Sequence, residues 1–137
     1  MLSSIPLRGF SQSEFEQREQ KAQHVMNEEK LDAILLTTEP NVHYFSGFMT
    51  QFWQSPTRPW FLIVPREGEL IAVIPEIGRA GMESSCVNDI RTWASPCPED
   101  DGITLLAQAL SEGTMRFGRI GMTLGQDSHL RMPAKNF

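Results

Sequence analysis

The chain predicts an α/β fold: a single three-layer domain with a mixed β-sheet of about five to six strands and helices on both faces. Three observations lead there. Amphipathic segments and short apolar runs follow one another in the order α-β-α-β-β-α-β-α-β. One pair of runs is joined by only four polar residues, as in a hairpin, whereas most of the others are separated by helical segments, as in crossovers. The 137 residues, 40% apolar and 21% charged, suffice for one core and are too few for two ordinary domains.

Ser11-Gln12-Ser13-Glu14 reads as a capping box. The Ser11 hydroxyl can accept from the Glu14 amide while the Glu14 carboxylate reaches back, and Phe10 and Phe15 stand where a hydrophobic staple belongs. A helix over about residues 12–29 follows, with Phe15, Ala22, Val25 and Met26 on its apolar side. Leu31 to Thr37 is apolar without alternation after Asp32, as expected of a strand covered on both faces. Pro40 suits the first turn of a short helix running to about Phe45, and Gly47 suits its end.

Trp60–Pro65 and Leu70–Pro75 flank Arg66-Glu67-Gly68-Glu69 and predict the hairpin. Glu76 to about Ser84 is a short helix weakened by Gly78 and Gly81. Asp89–Trp93 alternates as a strand does, with Ile90 and Thr92 on one face. Pro96–Gly102 is a loop. Ile103, Leu106 and Leu110 mark a helix that stops at Gly113. Arg119–Met122 is a short strand, and Pro133 starts another helix.

Composition narrows the function. The net charge is −5 and the 12 Lys and Arg are scattered, so no basic surface is expected for nucleic acid. No run approaches the ~18 apolar residues of a membrane span. Met1–Arg8 has no basic region followed by a long apolar one, so no signal peptide is read and a cytoplasmic setting is expected. Cys86 and Cys97 form no thiol metal motif; free thiols are the expectation, a disulfide the alternative.

No residue pattern supports catalysis. His24, His43 and His129 show no metal-ligand spacing and read as surface or half-buried polar residues. Ser46-Gly47 lacks the glycine frame of a nucleophile elbow, and a turn accounts for Ser46. The glycines form no phosphate-binding pattern. One segment differs: Phe48–Trp60 gathers aromatics, amides and Arg58 into a Pro-containing loop. Rigid aromatics offer contact area and an arginine reads a carboxylate, so this loop is expected to face a partner or a substrate channel. The competing reading makes Phe48, Phe52 and Trp60 core residues and leaves Arg58 solvated.

Two motifs carry a family resemblance. Leu31-Asp32-Ala33-Ile34-Leu35-Leu36 is followed by Asn41-Val42-His43-Tyr44-Phe45-Ser46-Gly47-Phe48, in the order and frame found in the N-terminal domain of the creatinase/prolidase/Xaa-Pro aminopeptidase family. The chain resembles that domain over essentially its whole length, residues 1–137. The resemblance implies a two-domain subunit in which a C-terminal "pita-bread" domain, unmatched here, holds the catalytic site. That domain binds two divalent metal ions (Mn, Co or Zn), or in creatinase-type members works without metal. The present chain is then expected to be an excised or shortened piece, inactive alone and holding no cofactor itself. The resemblance further implies a homodimer, a dock for its own catalytic domain, and gating of an active site. The nearest counterparts of the family's loop contacts to substrate are Phe52 or Trp53, and Arg58. Xaa-Pro peptides are the first substrate class implied. Creatine-like or ectoine-like compounds cleaved at a C–N bond are the second, and a freestanding interaction module without an enzyme is the rival from another class.

Overall fold

The computed structural model describes residues 10–55, 58–113, 116–123, 125 and 132. The helix expected at Pro133, and His129, lie outside them. The described residues form a single five-stranded mixed sheet, with strand order β4-β3-β2-β1-β5. The strands are β1 (Ala33–Leu36), β2 (Phe61–Pro65), β3 (Ile71–Pro75), β4 (Asp89–Trp93) and β5 (Ile120–Met122). β1, β2 and β3 are antiparallel neighbours, while β4 joins β3 and β5 joins β1 in parallel. The antiparallel pairing is therefore wider than the predicted hairpin, because β2 returns alongside β1 as well as β3.

The sheet faces follow the two-residue repeat of extended chain. Leu36, Leu62, Val64, Ala72 and Ile74 enter one core cluster with Met26, Val42 and Met82. These last three come from α1 (Gln12–Glu29), α2 (Glu39–Ser46) and α3 (Arg79–Glu83). Ala33, Leu35, Phe61, Ile63 and Val73 point the other way, to Leu106 and Ala109 of α4 (Ile103–Glu112). Among the described residues, three helices on one face and one on the other complete the three layers. β1 is covered on both sides, which is why its sequence shows no polar alternation. Ile90 packs toward the first face and Trp93 toward the second, as the β4 alternation requires.

The helix signals translate into local geometry. The Ser11 hydroxyl accepts from the Glu14 amide at 3.3 Å. The Glu14 carboxylate turns to Arg18 instead of back to Ser11, lying 3.4 Å from Nε. Phe10 meets Phe15 edge-on at 6.4 Å. Val25, placed with the apolar side, is 49% exposed: at 100° per residue it falls well off the line of Phe15 and Met26. Gly47 ends α2 at φ +76, its amide bonded to the His43 carbonyl at 2.8 Å.

The predicted helix after β3 is two pieces, a 3-10 turn at Glu76–Gly78 and then α3. Its glycines serve packing. A Cβ at Gly78 would lie 2.1 Å from the buried Trp60 ring, and one at Gly81 would lie 3.1 Å from Phe48.

Candidate functional site

Register places the strand ends. Leu36 of β1 faces Leu62, Phe61 of β2 faces Val73, and Pro75 of β3 faces Trp93. The carboxyl ends of β1, β3, β4 and β5 therefore share one end of the sheet with the start of β2. The loop entering β2, the 3-10 turn after β3 and the segment after β4 all gather there. In α/β sheets this end is where ligands bind, because the chain reverses and leaves backbone and side chains pointing outward.

The aromatic loop is anchored from below. Trp60 is fully buried, stacked on Trp53 at 6.1 Å and 19° and tilted against Phe48 at 5.5 Å. Thr50 caps the 3-10 turn Gln51–Gln54 by accepting from the Phe52 amide at 3.2 Å. Phe52 is half-buried, and the Arg58 guanidinium sits 5.5 Å from its ring centroid. This is a cation–π arrangement. Arg58 also reaches the Ser55 hydroxyl at 3.5 Å. Pro56 and Thr57 lie outside the described residues.

The sequence-predicted contact residues thus divide. Trp53 is only 6% exposed and belongs to the core, as do Phe48 and Trp60. Phe52 and Arg58 form the outward layer above them. Arg58 borders a groove of about 260 Å³ with Glu76, Ile77, Ala94 and Ser95. Ile77 is exposed, and the buried Ser95 hydroxyl has no hydrogen-bond partner among the described residues. The groove offers a guanidinium, a carboxylate and an apolar wall, a set suited to holding a polar ligand end beside an apolar group. Nothing in the local sequence singled out Glu76, Ile77 or Ser95. They follow β3 and β4, and only the parallel pairing of those strands brings them to Arg58.

The opposite end of the sheet carries a second polar cluster. The Asp32 carboxylate accepts from the amides of Arg116 (2.9 Å), Phe117 (3.0 and 3.1 Å), Gly118 (2.7 Å) and Arg119 (3.4 Å). The Arg66 guanidinium is buried beside it, with Nε 3.8 Å from Oδ1. Burial pushes the Asp32 carboxyl up, but the four amides together outweigh it and hold the group below the ordinary carboxylate range.

A hollow of about 240 Å³ near α1 carries Glu16, Glu19, Glu69 and Cys86. Burial, then Glu69 and Glu16, raise the Glu19 carboxyl. Burial pushes the Cys86 thiol up to about 11, against the lowering effect of the Cys86 backbone amide, and Sγ–H donates to the Phe45 carbonyl at 3.4 Å. Cys86 and Cys97 are free thiols, not a disulfide. Ser46 is buried, donating to the Val42 carbonyl and accepting from the Phe48 amide at 3.0 Å, so both capacities serve the turn. His24 is exposed beside Glu28, and His43 is exposed at the end of α2.

Among the described residues no group of three or more His, Cys, Asp or Glu is placed to hold a metal ion. Among the same residues no helix is long and apolar enough to cross a membrane.

Comparison with known proteins agrees with this architecture. The family model described as the creatinase/prolidase N-terminal domain matches residues 18–132. The chain belongs to that family. No curated protein matches it. Among solved structures, the dipeptidase PepE from Mycobacterium ulcerans is 23% identical with a TM-score of 0.61, over 74% of this chain and 27% of that one. A proline dipeptidase from Streptococcus pneumoniae is 18% identical with a TM-score of 0.63, over 77% of this chain and 72% of that one. A prolidase from Thermococcus sibiricus is 19% identical with a TM-score of 0.61, over 80% and 34%. At these identities the likeness is one of fold.

Proposed function

We propose that this is the non-catalytic N-terminal domain of an Xaa-Pro dipeptidase or prolidase-like metallopeptidase, which dimerises and gates access to an active site held by a separate catalytic domain. The observation that carries the reading is the outward pair Phe52–Arg58 at the carboxyl end of the sheet, set on a buried aromatic stack beside a polar groove. Two facts support it. The chain belongs to the creatinase/prolidase N-terminal domain family, and its match takes up only 27% of the M. ulcerans dipeptidase and 34% of the T. sibiricus prolidase. The two divalent metal ions such an enzyme uses would then be held by the catalytic domain.

The gating mechanism is positional. A domain fixed by its own core narrows the path to the reacting centre and offers a guanidinium to an anionic substrate end. Trp53 contributes from beneath, by holding the loop through Trp60. Exposed Tyr44, Met49 and Ile77 supply apolar area for dimer or domain contacts. The setting remains a cytoplasmic one in this reading.

The test is steady-state kinetics of a two-domain protein carrying this domain. Arg58→Ala raises KM for an Xaa-Pro dipeptide about tenfold and leaves kcat within about twofold, as loss of one charge-assisted contact does. An unchanged KM overturns the assignment of Arg58. The aromatic–arginine pair also favours a second reading, a creatinase-like or ectoine-hydrolase-like enzyme acting on a C–N bond. Turnover of creatine or an ectoine-type amide in place of the dipeptide decides for it.

A further inference from the structure

We propose that the turn Arg116–Arg119 is a built-in anion receptor whose resident ligand is the Asp32 carboxylate, and that this clasp positions β5 on the sheet. Successive backbone amides converging on one carboxylate form the concavity by which proteins hold phosphates and other anions. Here the two carboxylate oxygens take five contacts of 2.7 to 3.4 Å from the amides of Arg116, Phe117, Gly118 and Arg119. The Asp32 side chain is 2% exposed and the Arg66 side chain 5%. The Arg66 Nε is buried without a hydrogen-bond partner among the described residues, 3.8 Å from Asp32 Oδ1. Its guanidinium faces the Phe117 ring at 5.4 Å. The receptor thus combines amide donors, a buried cation and an aromatic wall.

Among the described residues β5 has little else to hold it. It is three residues long, with Ile120 exposed and Gly121 and Met122 half-buried, and among those residues it pairs with β1 alone. Such a strand buries too little apolar surface to fix its own register. The clasp supplies that register. The Asp32 amide donates to the Arg119 carbonyl at 2.8 Å and the Arg66 amide donates to the Asp32 carbonyl at 2.9 Å. One residue therefore ties β1, β2 and β5 together through both its main chain and its side chain. β5 then leads to Thr123, whose hydroxyl meets Asn41 of α2 at 3.4 Å, at the same end as the candidate groove. On the reading proposed above, Asp32 is a positioning residue for whatever part of the chain follows β5.

Hydrogen exchange of this chain tests the clasp without any catalytic partner, so its outcome is independent of the Arg58 kinetics. In Asp32→Ala the amides of Phe117 and Gly118 exchange at least about tenfold faster, while β2 and β3 keep their protection. Sodium formate restores the slow exchange saturably, because formate can occupy the vacated receptor, whereas formamide, similar in shape but neutral, does not. Unchanged exchange at residues 117 and 118, or equal rescue by formamide, overturns the proposal. If the Ala variant fails to fold, Asp32→Asn decides. It keeps an oxygen acceptor and loses the charge, so accelerated exchange at 117 and 118 supports the anion receptor and wild-type exchange contradicts it.

Discussion

The two ends of the sheet are held by different physics. At the amino end of β1, one buried carboxylate is matched by backbone amides and a neighbouring arginine. At the carboxyl end, three aromatic rings pack together, two of them stacked, and the polar groups above them border a groove. The difference teaches where function can reside. A cluster whose acceptor is saturated and enclosed has no capacity left for a ligand. A rigid apolar base carrying a guanidinium and a carboxylate at the border of a groove has room for one. The two ends should also respond differently to mutation and to pH.

The largest effect is expected from the aromatic base. Trp60→Ala removes a fully buried indole and should lower stability by about 3–5 kcal/mol. Chemical denaturation will show this loss to be nearly the same at neutral and acid pH, since no ionisable group takes part in the stack. Gly78→Ala comes next. A methyl placed 2.1 Å from the Trp60 ring forces ring or backbone to move, and overpacking of this kind costs about 1–3 kcal/mol. Wild-type stability in that variant would break the link between the turn after β3 and the aromatic loop.

The amino end should instead be pH-dependent. The folded Asp32 carboxyl ionises at lower pH than the unfolded one. Its stabilising contribution is therefore complete above the ordinary carboxylate range and fades as pH falls below about 4 toward the folded pKa. Asp32→Asn should be destabilised most near neutrality, and the gap to wild type should close on acidification. A gap that widens in acid would contradict the clasp. Glu19 carries the opposite sign, because its raised folded carboxyl penalises the folded state once it ionises. The smallest effect concerns Cys86: with its thiol pushed up to about 11 and half-buried, it should alkylate at least about tenfold more slowly than an unstructured thiol at pH 8.

Much of the fold could be read from the residues because the signals were local. Ser11 capped its helix, Gly47 ended α2 in the left-handed region, and the alternation in β4 sent Ile90 and Trp93 to opposite faces. What could not be read depended on long-range pairing. That β2 returns beside β1 follows from tertiary packing, since the polar turn before β3 reports only the β2–β3 hairpin. The partners of Asp32 are amides 84 to 87 residues away, and the available hint was a lone acid at the head of an apolar strand. A buried charge there needs strong partners. Likewise Gly78 and Gly81 looked like weak points in a helix. In space they are notches that admit Trp60 and Phe48. Composition marked out the aromatic loop but could not separate Trp53, which sinks into the core, from Phe52 and Arg58, which stay near the surface.

The most direct test pairs kinetics with stability for Arg58→Ala in a two-domain protein carrying this domain. The account predicts a KM raised about tenfold, a kcat close to wild type, and a melting temperature within about 2 °C of wild type, because Arg58 lies above the aromatic base and not in it. A melting temperature that falls sharply while KM stays unchanged would make Arg58 part of the scaffold and contradict the division between the two ends.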